Sequence, residues 1–262
     1  MNTDQEWERW GAGDPYYGVL TNPKYRTAVL TTQAKEEFFY SGRCHVHYVL
    51  DMCRRYIDPA FTPQRVLDFG CGVGRLLIPF AELSKEVVGI DISSSMLAEA
   101  QRNCEERGAG NVKLILSDDT LSAVHGQFNL VHSCIVFQHI EVERGRRLFA
   151  QLINRMLPEG IAALHVTFAW DVYAANFGQP PADLPPSSPT PLAHAKAHIR
   201  RLFVSPASQE PETRADPEME MYYYNLNELL FLVQRSGAKQ VHTAFTDHGG
   251  ALGVFLFFRK QA

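Results

Sequence analysis

The sequence lacks the cysteine pattern of a disulfide framework or a zinc site. Its five cysteines, at positions 44, 53, 71, 104 and 134, form no Cys-X-X-Cys pair, and their number is odd. Secreted disulfide-rich domains and zinc knuckles use even, closely spaced sets of cysteines. We therefore expect a reduced, cytoplasmic protein without a structural metal.

Long apolar runs and an excess of positive charge are also absent. No apolar stretch approaches the ~18 residues of a membrane span. The first six residues are polar and acidic, unlike a signal peptide. With 25 basic and 29 acidic residues, the net charge is −4, which argues against general binding to nucleic acid or anionic membranes. The sequence predicts neither partner and leaves the oligomeric state open.

What is present is the pattern of an α/β domain. The 262 residues are 45% hydrophobic and 21% charged, which is typical of a globular protein. From residue 65 to 168, short β-rich runs alternate with helical patterns, which predicts a parallel sheet with helices on both faces. A helix over 225–237 and two strands, 239–245 and 254–259, follow, and the short connection predicts an antiparallel pair.

Other segments flank or interrupt this pattern. Residues 1–25 are rich in aromatic and turn-forming residues, and a helical pattern from Thr31 to Ile57 has a break at Ser41-Gly42. From Asp171 to Met221 the chain is rich in proline and predicts a long loop. We predict one domain over 1–262, divided into a cap or lid (1–60), a core (61–170), an insertion (171–224) and a C-terminal helix with a strand pair (225–262).

Prolines bear on two of the predicted core helices. Residues Arg75–Leu83 have a helical pattern, although Pro79 inside it is a mismatch. Residues Val142–Leu157 have an amphipathic pattern that we expect to end at Pro158 and Gly160.

The most informative stretch is a strand followed by a glycine-rich turn and a helix start. It reads Val66-Leu67-Asp68-Phe69-Gly70-Cys71-Gly72-Val73-Gly74-Arg75. Such a turn lets a ligand lie against the backbone and the helix N-terminus. The spacing is Gly-X-Gly-X-Gly rather than that of dinucleotide enzymes, and the Asp68 carboxylate opposes a pyrophosphate. The next strand ends in Asp91, an acid suited to two ribose hydroxyls.

These residues resemble the class I S-adenosylmethionine (SAM)-dependent methyltransferases, from about Arg65 to Phe168. The similar motifs, in chain order, are Asp68–Gly74, Gly89–Asp91, Leu114–Asp119, Phe128–Ile140 and Leu157–Gly160. Asn129 departs from the family, which usually has aspartate there, and this puts the local capping in question. The resemblance implies a Rossmann-like seven-stranded sheet, mostly parallel with an antiparallel last strand, beside a helical N-terminal extension and a proline-rich insertion.

The resemblance also implies SAM as the cofactor and a set of residues that bind it. They are Asp68, Gly70, Cys71, Gly72, Gly74, Asp91, Ile92, Met96, Asp118, Asp119, Ser133, Cys134, Gly42 and Arg43. Each has a structural alternative. The glycines fit a plain strand-to-helix turn, Asp91 fits a helix N-cap, and Ile92 and Met96 fit an ordinary core.

On the acceptor side, we predict that Tyr16, Tyr17, Phe137 and Tyr223 bind the substrate. His139 is the candidate general base, with a hydrogen-bonded structural histidine as the alternative. Other polar residues have simpler interpretations. Arg144, Arg146 and Arg147 fit a solvated helix face, His45 and His47 fit a helix surface, and His194 and His198 lack a third zinc ligand.

Together these features predict methyl transfer from SAM to an oxygen or nitrogen of a small molecule, such as a metabolite, a sugar or a natural product. The alternatives are a protein or RNA methyltransferase and a SAM-binding protein without catalysis. A nicotinamide oxidoreductase is disfavoured by Asp68 and by Arg75, which occupies the place of the third glycine.

Overall fold

Seven strands form one sheet in the part of the chain that the computed structural model describes, residues 3–170 and 216–261. The strands are β1 (Arg65–Phe69), β2 (Glu86–Asp91), β3 (Val112–Leu116), β4 (Phe128–Ser133), β5 (Met156–Trp170), β6 (Val241–Asp247) and β7 (Ala251–Arg259). Their order is β3-β2-β1-β4-β5-β7-β6. The first five are parallel, and β7 runs antiparallel to both β5 and β6. The predicted fold class is confirmed.

Helices cover both faces of the sheet. In the described residues they are α1 (Thr3–Gly13), α2 (Pro15–Val19), α3 (Thr32–Tyr56), α4 (Leu77–Leu83), α5 (Ser94–Glu106), α6 (Val142–Asn154) and α7 (Leu226–Arg235). Short 3-10 turns occur at Pro23–Tyr25, Thr27–Val29 and Phe137–His139.

The alternation of side chains along β7 explains the two buried layers. Val254, Leu256 and Phe258 pack in a core that includes α6 and α7. Phe255 and Phe257 point the other way, into a core formed with α3 and α4. A strand that is apolar on both faces is the expected result of covering both sides of a sheet.

The N-terminal segment is more helical than its turn-forming residues predicted. Residues 3–19 form α1 and α2 instead of a series of turns, with Pro15 at the first position of α2, where a proline costs no hydrogen bond. Trp10 is buried against α5 and Tyr17 in a third cluster of aromatic and sulfur side chains. The aromatic residues that indicated a separate segment are therefore the core of a helical cap.

The predicted break in α3 at Ser41-Gly42 is wrong. The helix is continuous from Thr32 to Tyr56, and Ser41 Oγ donates to the carbonyl oxygen of Phe38. At Gly42, an added Cβ would lie 2.2 Å from the carbonyl oxygen of Arg75. The glycine marks a close approach between α3 and the glycine loop, and not the end of a helix.

Both proline expectations need correction. Pro79 is the third residue of α4, so its missing N–H is one of those that a helix leaves unpaired at its start. Helix α6 ends at Asn154, before Pro158, which belongs to the first part of β5. There the pairing with β4 shifts between Phe128 and Leu130, and such irregular positions tolerate a proline.

Asn129 makes the capping contacts that were in question because the family usually has aspartate at this position. Its Oδ1 accepts hydrogen bonds from the backbone N–H groups of Gln64 and Arg65, at 2.8 and 2.9 Å. Its Nδ2 donates to the carbonyl oxygen of Thr62 at 2.9 Å, a bond that a carboxylate could not make. The amide therefore replaces the acid without leaving the start of β1 unpaired.

The division of the chain into a lid, a core and an insertion stays a prediction. Residues 171–215, most of the predicted insertion, lie outside the described residues, as do His194 and His198. The described remainder, from 217 onward, belongs to the same compact unit as residues 3–170.

Candidate functional site

A cavity of about 400 Å³ lies at the carboxyl edge of the sheet. Its residues follow the sheet order: Asp118 after β3, Asp91 at the end of β2, Gly70 after β1 and Cys134 after β4. Helix α1 and the end of α2 also contribute to its lining. Parallel α/β sheets bind their ligands at this edge, so the fold itself positions the site.

The glycine loop has a backbone that only glycine adopts easily. Gly70, Gly72 and Gly74 have φ angles of 72°, 51° and 86°. At Gly70 and Gly72, an added Cβ would also lie 2.3 Å from Val136 and 2.6 Å from Val19. Gly70 and Gly72 line the cavity, and so the loop presents bare backbone to it.

The Asp91 carboxylate is tied to this loop. Its Oδ2 accepts the N–H of Gly72 at 2.8 Å, and its Oδ1 accepts the N–H of Ser93 at 3.0 Å. Burial raises the pKa of Asp91 to about 6, against the opposing effect of these backbone donors. Each oxygen retains acceptor capacity toward the cavity, because a carboxylate has about four lone-pair positions.

Ile92 and Met96 continue the lining on the apolar side of Asp91. Met96 is buried and lies in the first turn of α5, where Ser93 Oγ accepts its N–H. A flat ring that packs against Ile92 and Met96 would remove apolar surface from water, which favours binding. The polar edge of the same ring could reach the loop after β3.

Asp118 and Asp119 form that loop and line the cavity. Asp118 organises a tight turn, because its carboxylate accepts from the backbone and hydroxyl groups of Thr120 and Ser122. These bonds hold the pKa of Asp118 well below its usual range. Asp119 Oδ1 accepts from Arg144 Nε at 2.6 Å.

The site fits an uncharged nucleoside better than a dinucleotide. The cradle is bare backbone that a Cβ would fill at Gly70 and Gly72. Among the cavity residues in the described part of the chain, the side chains beside the loop are acids and apolar groups, with Asp91 at the ribose position. A phosphate in this place would meet negative charge instead of a cation.

Asp68 lies under the loop and starts a buried polar chain. Its Oδ1 is 2.7 Å from His132 Nδ1, and His132 Nε2 is 3.1 Å from His45 Nε2. Asp68 Oδ2 is buried and has no partner among the described residues. His45, interpreted from the sequence as helix surface, is half-buried in α3, and burial strongly lowers its pKa.

The end of β4 carries a strained backbone. Ile135 has a φ of 60°, a conformation that β-branched residues rarely adopt, and it lines the cavity with Cys134. Ser133 is fully buried, and its Oγ donates to the carbonyl oxygen of Phe69 at 3.1 Å, which joins β4 to the glycine loop. Strain of this kind is concentrated at binding and catalytic sites.

His139 lines the cavity, with both ring nitrogens hydrogen-bonded. Its Nδ1 lies 2.9 Å from the carbonyl oxygen of Glu220, so this nitrogen carries the proton. Its Nε2 is 3.0 Å from Gln138 Nε2, which therefore donates to it. Burial lowers the pKa of His139. Its role as a base stays a prediction, and the geometry satisfies the structural alternative as well.

Helix α1 closes the cavity through contacts that the sequence did not indicate. Thr3, Asp4 and Trp7 belong to the lining. Arg144 on α6 binds both carboxylate oxygens of Asp4, at 2.5 and 3.0 Å. The interpretation of Arg144 as a solvated residue is therefore wrong, because it joins α1, α6 and the loop at Asp119. The pair could not be predicted from the sequence because Asp4 and Arg144 are far apart along the chain.

Several predicted site residues lie outside the lining formed by the described residues. They are Asp68, Cys71, Gly74, Ser133, Gly42, Arg43, Tyr16, Tyr17, Phe137 and Tyr223. Tyr16 is buried, with its hydroxyl 2.6 Å from Glu99 Oε1, and Phe137 belongs to the core. Arg43 is exposed and pairs with Glu82, while Tyr17 stacks under the Arg26 guanidinium.

Two features of other classes of protein are absent from the described residues. No helix among them is long and apolar enough to cross a membrane. Nor do they contain a group of three or more histidine, cysteine or acidic residues that could hold a metal ion.

Solved structures share this architecture along their whole length. The magnesium protoporphyrin IX methyltransferase ChlM from Synechocystis, with bound SAM, aligns with a TM-score of 0.59 at 16% identity, covering 100% of this chain and 98% of that one. The N-methyltransferase NodS from Bradyrhizobium japonicum, in complex with S-adenosylhomocysteine (SAH), aligns at 0.58 with 12% identity and 100% of both chains. At these identities the similarity establishes the fold.

The seven-stranded fold and the glycine-loop site are those that the resemblance to class I SAM-dependent methyltransferases predicted. Residues 66–160 match the family model of a methyltransferase domain. This segment runs from β1 to the first part of β5 and includes Asp91, Asp118 and Cys134.

Relatives in sequence match over part of their length. Aklanonic acid methyltransferase DauC from Streptomyces sp. (strain C5) is 41% identical over 81 residues, 29% of this chain and 37% of that protein. Ribosomal protein L11 methyltransferase from Syntrophotalea carbinolica is 28% identical over 144 residues, 55% of this chain and 45% of that protein. Uracil methyltransferases of ribosomal RNA match as well. The chain spans less than half the length of these relatives.

Proposed function

We propose that the protein transfers a methyl group from SAM to an oxygen or nitrogen atom of a small molecule. The observation that carries this proposal is the covered cavity, where the bare glycine loop and Asp91 face helix α1. The glycine loop and Asp91 can hold an adenosyl group. Because helix α1 covers the cavity, an acceptor has to be small enough to be enclosed.

The proposed binding roles follow the order of the strands. Asp91 accepts hydrogen bonds from the ribose hydroxyls, Ile92 and Met96 hold the adenine ring, and the loop at Asp118 and Asp119 meets its polar edge. Gly70 and Gly72 support the methionine part, with Asp68 beneath them. Cys71, Gly74, Ser133, Gly42 and Arg43 were also predicted to bind SAM, and that assignment stays a prediction because they lie outside the lining.

When bound, SAM supplies a methyl group already activated by the sulfonium. The protein's task is to hold the acceptor atom in line with the S–CH₃ bond and to exclude water. Positioning of this kind provides roughly 7–11 kcal/mol of a reaction barrier. Cys134 and Ile135, at the end of β4, lie where the acceptor would approach.

A small acceptor is favoured over a macromolecule by the cover and the charge. Helix α1 closes the cavity through Asp4, and a nucleic acid would have to displace it. The net charge of −4 does not favour RNA. By their names, DauC acts on aklanonic acid and ChlM on magnesium protoporphyrin IX, which are small molecules, and this supports the same choice. The L11 relative makes protein methylation the second candidate.

Calorimetry tests the cofactor assignment directly. We expect the protein to bind SAM and SAH, and we expect Asp91→Ala to weaken both by about 1–3 kcal/mol, because the ribose hydroxyls lose their acceptor. Asp51→Ala, at an exposed acid of α3, is the matched control and should bind normally.

Three outcomes would contradict the proposal. Binding of NAD without binding of SAM would make the protein an oxidoreductase. Unchanged SAM affinity in folded Asp91→Ala would remove the ribose assignment. SAM binding without SAH release, with small molecules or with ribosomal protein as acceptor, would leave a binding protein instead of an enzyme.

A further inference from the structure

The turn between β6 and β7 places a histidine in the cavity that neither the sequence patterns nor the family motifs indicated. His248 begins this turn, and its backbone N–H donates to the carbonyl oxygen of Ala251 at 3.1 Å. His248 and Ala251 both line the cavity that contains the glycine loop and Asp91. Gly249 and Gly250, with φ angles of 71° and 94°, allow the tight turn that sets the histidine there.

His248 lies on the acceptor side of the cavity. The sheet order puts β2, with Asp91, four strands away from β7, a separation of roughly 19 Å at about 4.8 Å for each strand. Cys134 and Ile135, at the end of β4, lie between them along this edge. With a nucleoside at Asp91, His248 faces the part of the cavity left for a second molecule.

The two cavity histidines differ in their hydrogen bonds. His139 uses both ring nitrogens, one toward Glu220 and one toward Gln138. The His248 side chain has a ring contact with His165, at 5.3 Å between centroids, and no hydrogen bond at either ring nitrogen within the described residues. Among the described residues, nothing occupies the ring nitrogens of His248, so that either can bind a molecule in the cavity.

A buried neighbour holds His248 in place. His165, on β5, is 1% exposed, and its Nε2 lies 2.8 Å from Thr246 Oγ1 on β6. At Gly253, an added Cβ would lie 2.4 Å from His165 Nε2, so this glycine makes the space for the ring. His165 is edge-on to His248 and forms the wall behind it.

We propose that His248 is the general base of the methyl transfer and that the acceptor is an apolar molecule with a hydroxyl group. This inference rests on the proposed function and identifies its substrate class. The hydroxyl oxygen forms a bond to the methyl carbon, the S–CH₃ bond breaks and leaves SAH, and the hydroxyl proton passes to a His248 nitrogen. A hydroxyl is a weak nucleophile that needs such a base, whereas a neutral amine attacks through its own lone pair.

The surroundings keep His248 neutral and match an apolar acceptor. His248 is an exposed residue of the lining, and its partial desolvation lowers its pKa against the opposing charge of Asp247. Burial lowers the pKa of the neighbouring His165 to about 3. His45 and His132 lie beyond Phe255, on the same face of the sheet. Much of the rest of the lining is apolar, including Trp7, Leu148, Met219 and Met221.

The test uses 2-naphthol and pentafluorophenol as acceptor probes, with SAH release as the readout. For 2-naphthol, His248→Asn should lower kcat/KM by roughly 100-fold, the low end of general-base catalysis. For pentafluorophenol, which is already ionised at neutral pH, the loss should be several-fold smaller, because no proton has to be removed. SAM affinity should be unchanged, and His47→Gln, at an exposed histidine of α3, is the matched control.

Each alternative result overturns the proposal in a recognisable way. Equal losses with both probes would make His248 a structural residue. If His139→Gln lowers kcat/KM more for 2-naphthol than for pentafluorophenol, and His248→Asn lowers it equally for both, the base is His139. SAM binding without turnover of either probe would exclude the hydroxyl class. Absence of SAM binding in the unaltered protein would instead refute the proposed function.

Discussion

Asp91 is the residue whose ionisation should control cofactor binding. Burial raises its pKa to about 6, and the ionised carboxylate is the form that accepts bonds from two hydroxyls. As the pH falls below 6 the carboxyl becomes protonated, so affinity for SAM should fall by up to about tenfold for each pH unit. Calorimetry with SAM between pH 7 and pH 5 measures this.

The amide variant isolates that effect. Asp91→Asn keeps the size of the side chain and removes its titration, so its affinity should be lower and nearly independent of pH over this range. If the variant keeps the slope of the unaltered protein, another group controls the binding, and the assignment of the slope to Asp91 is wrong.

Residues differ in how far the sequence revealed them. Gly70, Gly72 and Asp91 were predictable because a strand end and a turn fix their positions locally. Arg144 and His248 were not, because their partners, Asp4 and His165, are distant in sequence. A local sequence pattern does not tell which distant residues the fold brings into contact.

At the scale of elements, α1 is fastened over the cavity at two places. Arg144 binds Asp4 at one end, and Glu8 accepts from Ser93 Oγ and from the N–H of Ser95, at the start of α5. A carboxylate at a helix N-terminus is stabilised by the free N–H groups and the helix dipole. The helix therefore has charge-assisted contacts at both of its supports, and we expect it to release at least one of them when a ligand enters.

Removing one support should speed the exchange of SAM. We expect Arg144→Ala to raise the dissociation rate of SAM about tenfold, equivalent to about 1.4 kcal/mol and within the range for a charged hydrogen bond. Stopped-flow fluorescence of Trp7 and Trp10 follows the reaction. Arg146→Ala is the matched control, since Arg146 lies on the same helix and pairs with Glu143 and Glu228. Equal rates in both variants would mean that α1 does not limit exchange.

The elements themselves were predicted unevenly. The strands of the core and the antiparallel pair at the end were predictable from runs of apolar residues. The break at Ser41-Gly42 was wrong, since a glycine can mark a close helix contact. Within the segment predicted to consist of turns, residues 3–19 are helical, since aromatic residues can pack within a helical cap. In both cases tertiary packing overrode local preference.

At the scale of the whole molecule, histidines with lowered pKa values should make the free energy of unfolding fall at acidic pH. Burial lowers the pKa of His139, and it lowers the pKa of His45 to about 2 and of His165 to about 3, from an unfolded value of 6.5. The unfolded chain therefore binds more protons below pH 6.5, and stability is lost as the pH falls from there toward 3. Asp91 acts in the opposite direction between pH 6 and pH 4, because its pKa is raised in the folded state.

His45 and His165 against Asp91 give a net uptake of about one proton on unfolding near pH 5, and the lowered pKa values of His139 and His248 act in the same direction. The free energy of unfolding should then fall by at least about 1.4 kcal/mol for each pH unit near pH 5, which urea unfolding at pH 7, 6 and 5 measures. His45→Gln should reduce this slope by about 1.4 kcal/mol per pH unit, whereas His47→Gln, an exposed neighbour on α3, should leave it unchanged. If His45→Gln keeps the full slope, protonation of the buried chain from Asp68 to His45 does not drive acid unfolding.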